Sequence, residues 1–290
     1  MAQQYHYPIQ DLCLVLRVPR SSYYAWRSRR PGPRAGENQR LRETLCTLFV
    51  ANRKVYGSPR LTPCLQKQGI PCSRNRVARH MRDLQLKARQ KRAFKPKTTD
   101  STHPHPIAPN RLATSPKPKA PNRIWVSDIT YIFTAQGWLY LAAVMDLFSR
   151  KIVGWATAPH LKTSLVQEAL LQAIASRCPK AGLLHHSDRG VQYASHDYRQ
   201  LLSSLTALPS MSSAGNCYDN AAMESFWSTL KTESLHQHQF PTHHAAHLAI
   251  FDFIETFYNP KRLHSALDYQ SPVDFELSII HEENQKIPVQ

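Results

Sequence analysis

Leu183-Leu-His-His-Ser-Asp188-Arg-Gly-Val-Gln-Tyr193, with Asn220-Ala-Ala-Met-Glu224-Ser-Phe-Trp-Ser-Thr-Leu-Lys231 beyond it, decides how the chain is read. The first stretch is an apolar run that ends in a carboxylate. The second carries another carboxylate inside a pattern of helical spacing. Thirty-five residues separate the two acids. Their flanks are so apolar that an unpaired charge at either position is costly. A third acid, Asp128, lies upstream in the strand-like run Ile124-Trp-Val-Ser-Asp-Ile-Thr-Tyr-Ile132. Three carboxylates brought together hold two Mg²⁺ ions for in-line phosphoryl chemistry, and bound metal offsets the cost of burying them.

The residues around the acids set the fold class. Residues 124–133 alternate and are β-branched, and Gln136-Gly137 is a hairpin signal before residues 138–148. Ser149-Arg150 turns into residues 151–156, so three strands form an antiparallel meander. Thr163 is placed to cap a helix over 164–175. A fourth strand at 182–187, a helix near 196–205 and a short strand near 207–211 follow. This order predicts an α/β, ribonuclease H-like layout: a mixed five-stranded sheet flanked by helices on both faces. In it the first and fourth strands are neighbours, so Asp128 and Asp188 converge. Glu224 belongs to a helix started by Asp219 or Asn220 and pinned to the sheet by Phe226, Trp227 and Leu230.

Charge divides the chain in two. Of 37 basic and 20 acidic residues, 25 and 5 lie in residues 1–122, net +20; the remaining 12 and 15 give net −3. An asymmetry of that size favours a polyanion partner over an ordinary solvated surface, and nucleic acid is the obvious one. No apolar run reaches the roughly 18 residues of a membrane span, and no apolar signal region opens the chain. Six scattered cysteines without Cys-x-x-Cys spacing read as reduced thiols.

Four segments precede or follow the sheet-forming part at 122–278. Residues 1–35 read as two short helices, with Ser21 or Ser22 as N-cap of the second; a helix-turn-helix and a plain helical hairpin fit equally. Residues 36–90 form an all-α unit. In it Leu41, Leu45, Leu48 and Phe49 share one helix face, and Ser73 caps a basic helix. That helix turns Val77, Met81 and Leu84 inward and Arg74, Asn75, Arg79 and Arg82 outward, which suits groove or phosphate contact. Residues 91–121 are a basic, proline-rich linker expected to be extended, and 279–290 a tail.

Residues 123–276 resemble the catalytic domain of retroviral-integrase-type DDE transposases, specifically the OrfB-type product of the IS3 family of insertion sequences. The resemblance rests on Pro121-Asn-Arg-Ile-Trp-Val-Ser-Asp-Ile-Thr-Tyr131, Asp146-Leu-Phe-Ser-Arg150, Ile152-Val-Gly-Trp155 and His185-His-Ser-Asp-Arg-Gly-Val-Gln-Tyr193. Gly215-Asn-Cys-Tyr-Asp-Asn-Ala-Ala-Met-Glu-Ser225, Tyr258-Asn-Pro-Lys-Arg-Leu-His-Ser-Ala-Leu267 and Ser271-Pro272 extend it. Upstream, Tyr56-Gly-Ser-Pro-Arg60 and Ser73-Arg-Asn-Arg-Val-Ala-Arg79 match as well.

The resemblance implies a catalytic and metal-binding triad of Asp128, Asp188 and Glu224, holding two Mg²⁺ ions that Mn²⁺ can replace. The family's basic residue seven positions after the Glu falls on Lys231, about 10.5 Å along one helix face. Arg60, Arg189, Arg262 and His264 are further expected DNA contacts, with packing an equal reading for the last two. The implied activity is 3′-end nicking and strand transfer. The implied partners are double-stranded DNA, a second copy of the chain on that DNA, and an upstream-frame (OrfA-type) protein, in a cytoplasmic, nucleoid-associated setting. A nuclease that cuts without joining, and an inactive DNA-binding regulator, are the alternatives.

Two segments depart from the family pattern. Ser210-Met-Ser-Ser-Ala-Gly215 lacks its basic residues, and Ala113-Thr-Ser-Pro-Lys-Pro118 lacks its apolar anchor. Outside the motifs, the His-rich patch of His236, His238, His243, His244 and His247 is a weak zinc candidate, because no Glu or Cys accompanies it.

The charge asymmetry predicts steep salt dependence. If six or more phosphates are contacted, duplex affinity measured by anisotropy falls about 10³-fold or more between roughly 50 and 200 mM salt. A salt-independent affinity contradicts the polyanion reading.

Overall fold

The computed structural model describes residues 7–28, 33–89, 106–213 and 220–285. Five strands form one mixed sheet: β1 (Ile124–Thr134), β2 (Gly137–Asp146), β3 (Ile152–Ala158), β4 (Leu184–Ser187) and β5 (Leu208–Met211), in the order β3-β2-β1-β4-β5. β1, β2 and β3 pair antiparallel, whereas β4 runs parallel to both β1 and β5. This is the ribonuclease H-like layout the sequence predicts. Gly137, with φ +102°, makes the β1–β2 turn in a region that favours glycine.

Side chains of β1 alternate between two cores. Val126 and Ile132 join Leu141, Met145, Met223, Phe226, Trp227 and Leu230 on the face covered by α9 (Ala221–Glu233). Trp125 joins Val144, Ala156, Leu165, Ala169 and Ala173 on the opposite face, under α6 (Thr163–Arg177). Two short helices, α7 (Val191–Ala194) and α8 (His196–Ser204), lead from β4 to β5. Thr163 is the first residue of α6 and not its cap. Lys162 holds the N-cap position, and no side chain caps the helix.

The N-terminal helices are α1 (Ile9–Val15), α2 (Arg20–Arg27), α3 (Pro33–Ala51), α4 (Ser58–Lys67) and α5 (Arg74–Asp83). Ser73 caps α5 as expected, its hydroxyl accepting from Arg76 N at 3.3 Å. Ser21 and Ser22 do not cap α2, which starts at Arg20 behind Pro19. α3 crosses the expected boundary at 35/36. Pro33 in the first turn lacks only a backbone donor that has no helical partner there, so the helix begins earlier than the proline pattern suggested.

The helical unit and the sheet domain share one core. Leu41, Leu45, Tyr56, Leu61 and Val77 belong to the same buried cluster as Phe226 and Phe257. The buried Tyr56 hydroxyl donates to the Lys261 carbonyl at 3.2 Å and accepts from Leu263 N at 2.7 Å. Arg53 reaches Asp252 with two bonds at 2.8 and 3.1 Å. Residues 106–121, read as free linker, lie against the sheet domain. Ser210 Oγ accepts from Arg111 N at 3.0 Å and Leu112 N at 3.2 Å, and Leu112 packs on the shared core.

α10 (His243–Phe251) runs into a π-helical segment, Asp252–Tyr258, that buries Phe253, Ile254, Phe257 and Tyr258. α11 (Pro272–Gln285) continues through the expected tail boundary at 278/279. Its Glu276 binds Arg177 at 2.7 and 2.8 Å and Ser149 at 2.7 Å.

Gly154 in β3 is where α6 comes closest. A Cβ there would meet the Ala169 carbonyl and the Ala173 backbone. Gly154→Ala is therefore expected to cost about 1–3 kcal/mol or more. At roughly 2–4 °C per kcal/mol, calorimetry reads this as a lowered Tm, and an unchanged Tm contradicts the close approach.

Candidate active site

β1 and β4 pair with Trp125 opposite His185 and Val126 opposite His186. The same offset, carried two residues further, brings Asp128 beside Asp188 just past the end of β4. The half-buried Asp128 is pushed up to about 7, first by loss of water and then by the Asp188 charge; Glu224 adds to the rise more weakly. Asp128 Oδ1 accepts from Ile129 N at 2.8 Å, and Oδ2 accepts from Trp227 Nε1 at 2.9 Å. Asp188 Oδ1 accepts from Gly190 N at 2.9 Å. Glu224 is exposed in the first turn of α9, one turn before Trp227. One helix thus carries both the third carboxylate and the donor that fixes the first.

Sequence reading placed Trp227 as packing only. The three-residue interval from Glu224 is the signal that puts its indole over β1 on the same helix face. Lys231 lies on that side as well. Its half-buried ammonium sits 5.2 Å from the centroid of the Tyr131 ring; burial lowers its pKa and the Asp128 charge raises it. Tyr193 was quoted only as part of a motif. Its buried hydroxyl has no partner among the described residues, and burial, Tyr198 and both aspartates raise its pKa.

Beneath the acids the two histidines are structural. His185 Nε2 meets Ser127 Oγ at 2.9 Å and Tyr198 Oη at 3.1 Å, and burial lowers its pKa to about 3, so it is neutral. His186 is held between Ser210 at 2.9 Å and Ser212 at 3.1 Å. Asn220 occupies the N-cap position of α9 but does not cap it. Its amide donates to the Ser127 carbonyl at 3.1 Å, and its Oδ1 is buried with no partner among the described residues. Asp219 lies outside the described residues.

Among the described residues no three His, Cys, Asp or Glu side chains stand close enough to hold one ion together. The donors present nonetheless suit Mg²⁺. Asp128 and Asp188 repel each other, and the nearby Asn220 Oδ1 lacks a donor. Mg²⁺ commonly takes one or two carboxylates and completes its shell with water and substrate phosphate, so a three-ligand cage is not required. The His-rich patch offers no comparable set; His247 Nδ1 is taken by Thr157 Oγ1 at 2.9 Å.

Seven of the expected DNA contacts fall into two groups. Arg74, Asn75, Arg79 and Arg82 are exposed on α5, as the helical spacing predicts. Three others lie within the protein seam. Arg262, 4% exposed, forms two 2.7 Å bonds to Glu233, and Arg60 Nε donates to the Leu263 carbonyl at 2.9 Å. His264 stacks edge-on to Tyr258 beside Arg262. Arg189 Nε donates to the Ser212 carbonyl at 2.6 Å. For Arg262 the burial and the carboxylate partner favour packing over the DNA contact that the sequence left open.

Because folding raises the Asp128 pKa, the folded state holds that proton more tightly than the unfolded chain does. The resulting stability is full in acid and is lost as pH rises through about 7. Asp128→Asn removes the charge and keeps an oxygen for Trp227. In metal-free calorimetry it is expected to raise Tm in mildly alkaline buffer by on the order of 2–4 °C per kcal/mol of repulsion relieved, and by less in acid. An equal shift in both buffers contradicts the assignment.

Comparison with known proteins fits this geometry. The Integrase core domain family matches residues 118–217 and again 206–272, and an HTH-like domain matches 37–94. An insertion element IS600 31 kDa protein of Shigella sonnei is 44% identical over 91% of this chain and 97% of its own length. The transposase InsF of IS3A from Escherichia coli is 38% identical over 94% and 95%. The IS904 transposase of Lactococcus lactis is 42% identical over 86% and 98%. A simian T-cell lymphotropic virus intasome structure aligns over 80% of this chain and 74% of its own, at 17% identity and a TM-score of 0.47. With the three insertion-sequence relatives matched across nearly their whole length, the chain belongs to the IS3-family insertion-sequence transposases.

Proposed function

We propose that the chain nicks the end of an insertion element and transfers the freed 3′ end to a second phosphodiester, with Asp128, Asp188 and Glu224 as its metal-holding triad. The observation that carries this reading is the pair Asp128 and Asp188, set against each other on adjacent strands with Glu224 one helix over. Asp128 is the shared member, paired with Asp188 on one side and Glu224 on the other. Two Mg²⁺ ions, or Mn²⁺ in their place, would supply the positive charge that lets phosphate approach these carboxylates and offsets charge developing on its oxygens.

The chain's own residues do the rest. Trp227 holds the Asp128 carboxylate in one orientation through its 2.9 Å bond. Lys231, near enough to feel the Asp128 charge, offers an ammonium to a phosphate or terminal base beside the acids. Arg74, Asn75, Arg79 and Arg82 face outward and are positioned to grip DNA through the α5 surface. No residue is needed as a covalent nucleophile, since water and then a 3′ hydroxyl fill that role. Joining two ends requires both to be held at once, so at least a dimer on DNA is expected, with an upstream-frame protein as a further partner. Among the described residues no helix is long and apolar enough to cross a membrane.

The deciding experiment is a strand-transfer assay on end-containing DNA with Mg²⁺. Glu224→Gln, at an exposed position that does not hold the fold together, is expected to cut joining by at least about 100-fold, the scale of removing one charge-stabilising group. Undiminished joining overturns the triad assignment. Cutting without joining by the unaltered chain favours a nuclease, and Mg²⁺-independent DNA binding with no cutting favours a regulator.

A further inference from the structure

The face of α9 turned away from the carboxylates lines a cleft of about 420 Å³ between the helical unit and the sheet domain. Arg60, Arg89, Arg150, Arg262 and His264 surround it, with Glu233 as the carboxylate among its lining residues. Glu233 is committed to Arg262 through both oxygens and lies 3.9 Å from Arg60. Two partly or fully buried guanidiniums thus share one acid. His264 is held well below its ordinary pKa by burial, then by Arg262, Arg60 and Arg150, so it is neutral and offsets nothing. Among the described residues Arg89 reaches only the Glu233 carbonyl, at 3.5 Å. The guanidinium of Arg150 forms no hydrogen bond or ion pair among the described residues. Among the described residues the walls therefore carry an uncompensated positive charge, while Ser225, Thr229 and Thr232 of α9 line the cleft beside it.

A concave, half-enclosed basic site of this kind selects an anion that carries phosphate. Its size admits a ligand of one or two nucleotides and excludes a duplex. Ser225 directly follows Glu224, so whatever occupies the cleft lies across the helix from the acids.

We propose that this cleft takes a single-stranded stretch of DNA, one or two nucleotides long, with its phosphates against Arg150 and Arg89. The inference rests on the transposase reading for the identity of the nucleic acid. It gives the chain a place to hold an unpaired strand by its phosphates on the side of α9 away from the acids. Free phosphate shares the same chemistry and is separated by the test.

The test measures binding alone, without metal ions, so it does not depend on any cleavage or joining. A labelled single-stranded oligonucleotide and a blunt duplex are titrated by anisotropy against the unaltered chain, Arg150→Gln and Arg150→Lys, with inorganic pyrophosphate as competitor. Arg150→Gln is expected to weaken single-strand binding about tenfold and to lower the salt slope by roughly 0.7, while duplex binding changes less than about twofold. Arg150→Lys is expected to retain most of the affinity. Unchanged single-strand affinity, an equal loss on both DNAs, or pyrophosphate binding that Arg150→Gln weakens with no loss of strand binding each overturns the proposal. Failure of Glu224→Gln to stop joining strikes the triad assignment and leaves this result standing, whereas absence of any cutting or joining by the unaltered chain strikes the transposase reading.

Discussion

Repulsion between two carboxylates held on neighbouring strands is the constraint on which the site depends. Asp128 and Asp188 are brought together by the parallel β1–β4 register, and the cost of that approach appears in the raised pKa of Asp128. Packing of the sheet between α6 and α9 keeps the two strands from relieving it. The strain is tolerable only because specific donors take part of the charge: Ile129 N and Trp227 Nε1 on Asp128, Gly190 N on Asp188. In the proposed function a divalent cation would complete what these donors begin.

α9 joins three tasks in one helix. Phe226 and Leu230 bury it in the shared core, Trp227 clamps Asp128, and Glu224 and Lys231 occupy positions seven residues apart beside the acids. Its opposite face lines the basic cleft. The helical unit docks through Tyr56 and Arg60 on Leu263 and through Arg53 on Asp252, and Arg60 also approaches Glu233 of α9 at 3.9 Å.

Much of this was legible in the sequence. The alternation in residues 124–133 and the apolar run at 182–187 marked two strands, and the order of the elements made them neighbours that bring their acids together. Ser73 as a cap and the outward basic face of α5 followed from local spacing. The misses have a common cause: they depend on partners distant in sequence. Trp227 needs Asp128, 99 residues away, to reveal its polar role. Arg60 read as a DNA contact, and Arg262 as a DNA contact or a packing residue, until the Leu263 carbonyl and Glu233 were placed beside them. Residues 106–121 carry too little apolar surface to fold alone, yet Ser210 holds Arg111 and Leu112 on the sheet domain. Hydroxyl caps expected at Ser21, Ser22 and Thr163 were displaced by a helix start one residue or more earlier.

The central claim is that Asp128 and Asp188 share a divalent cation. The most direct measurement is anomalous diffraction from crystals of the chain with end-containing DNA and Mn²⁺. The account predicts an anomalous peak between the Asp128 and Asp188 carboxylates, lost in Asp128→Asn. Mn²⁺ bound elsewhere with no peak between those two side chains would contradict it.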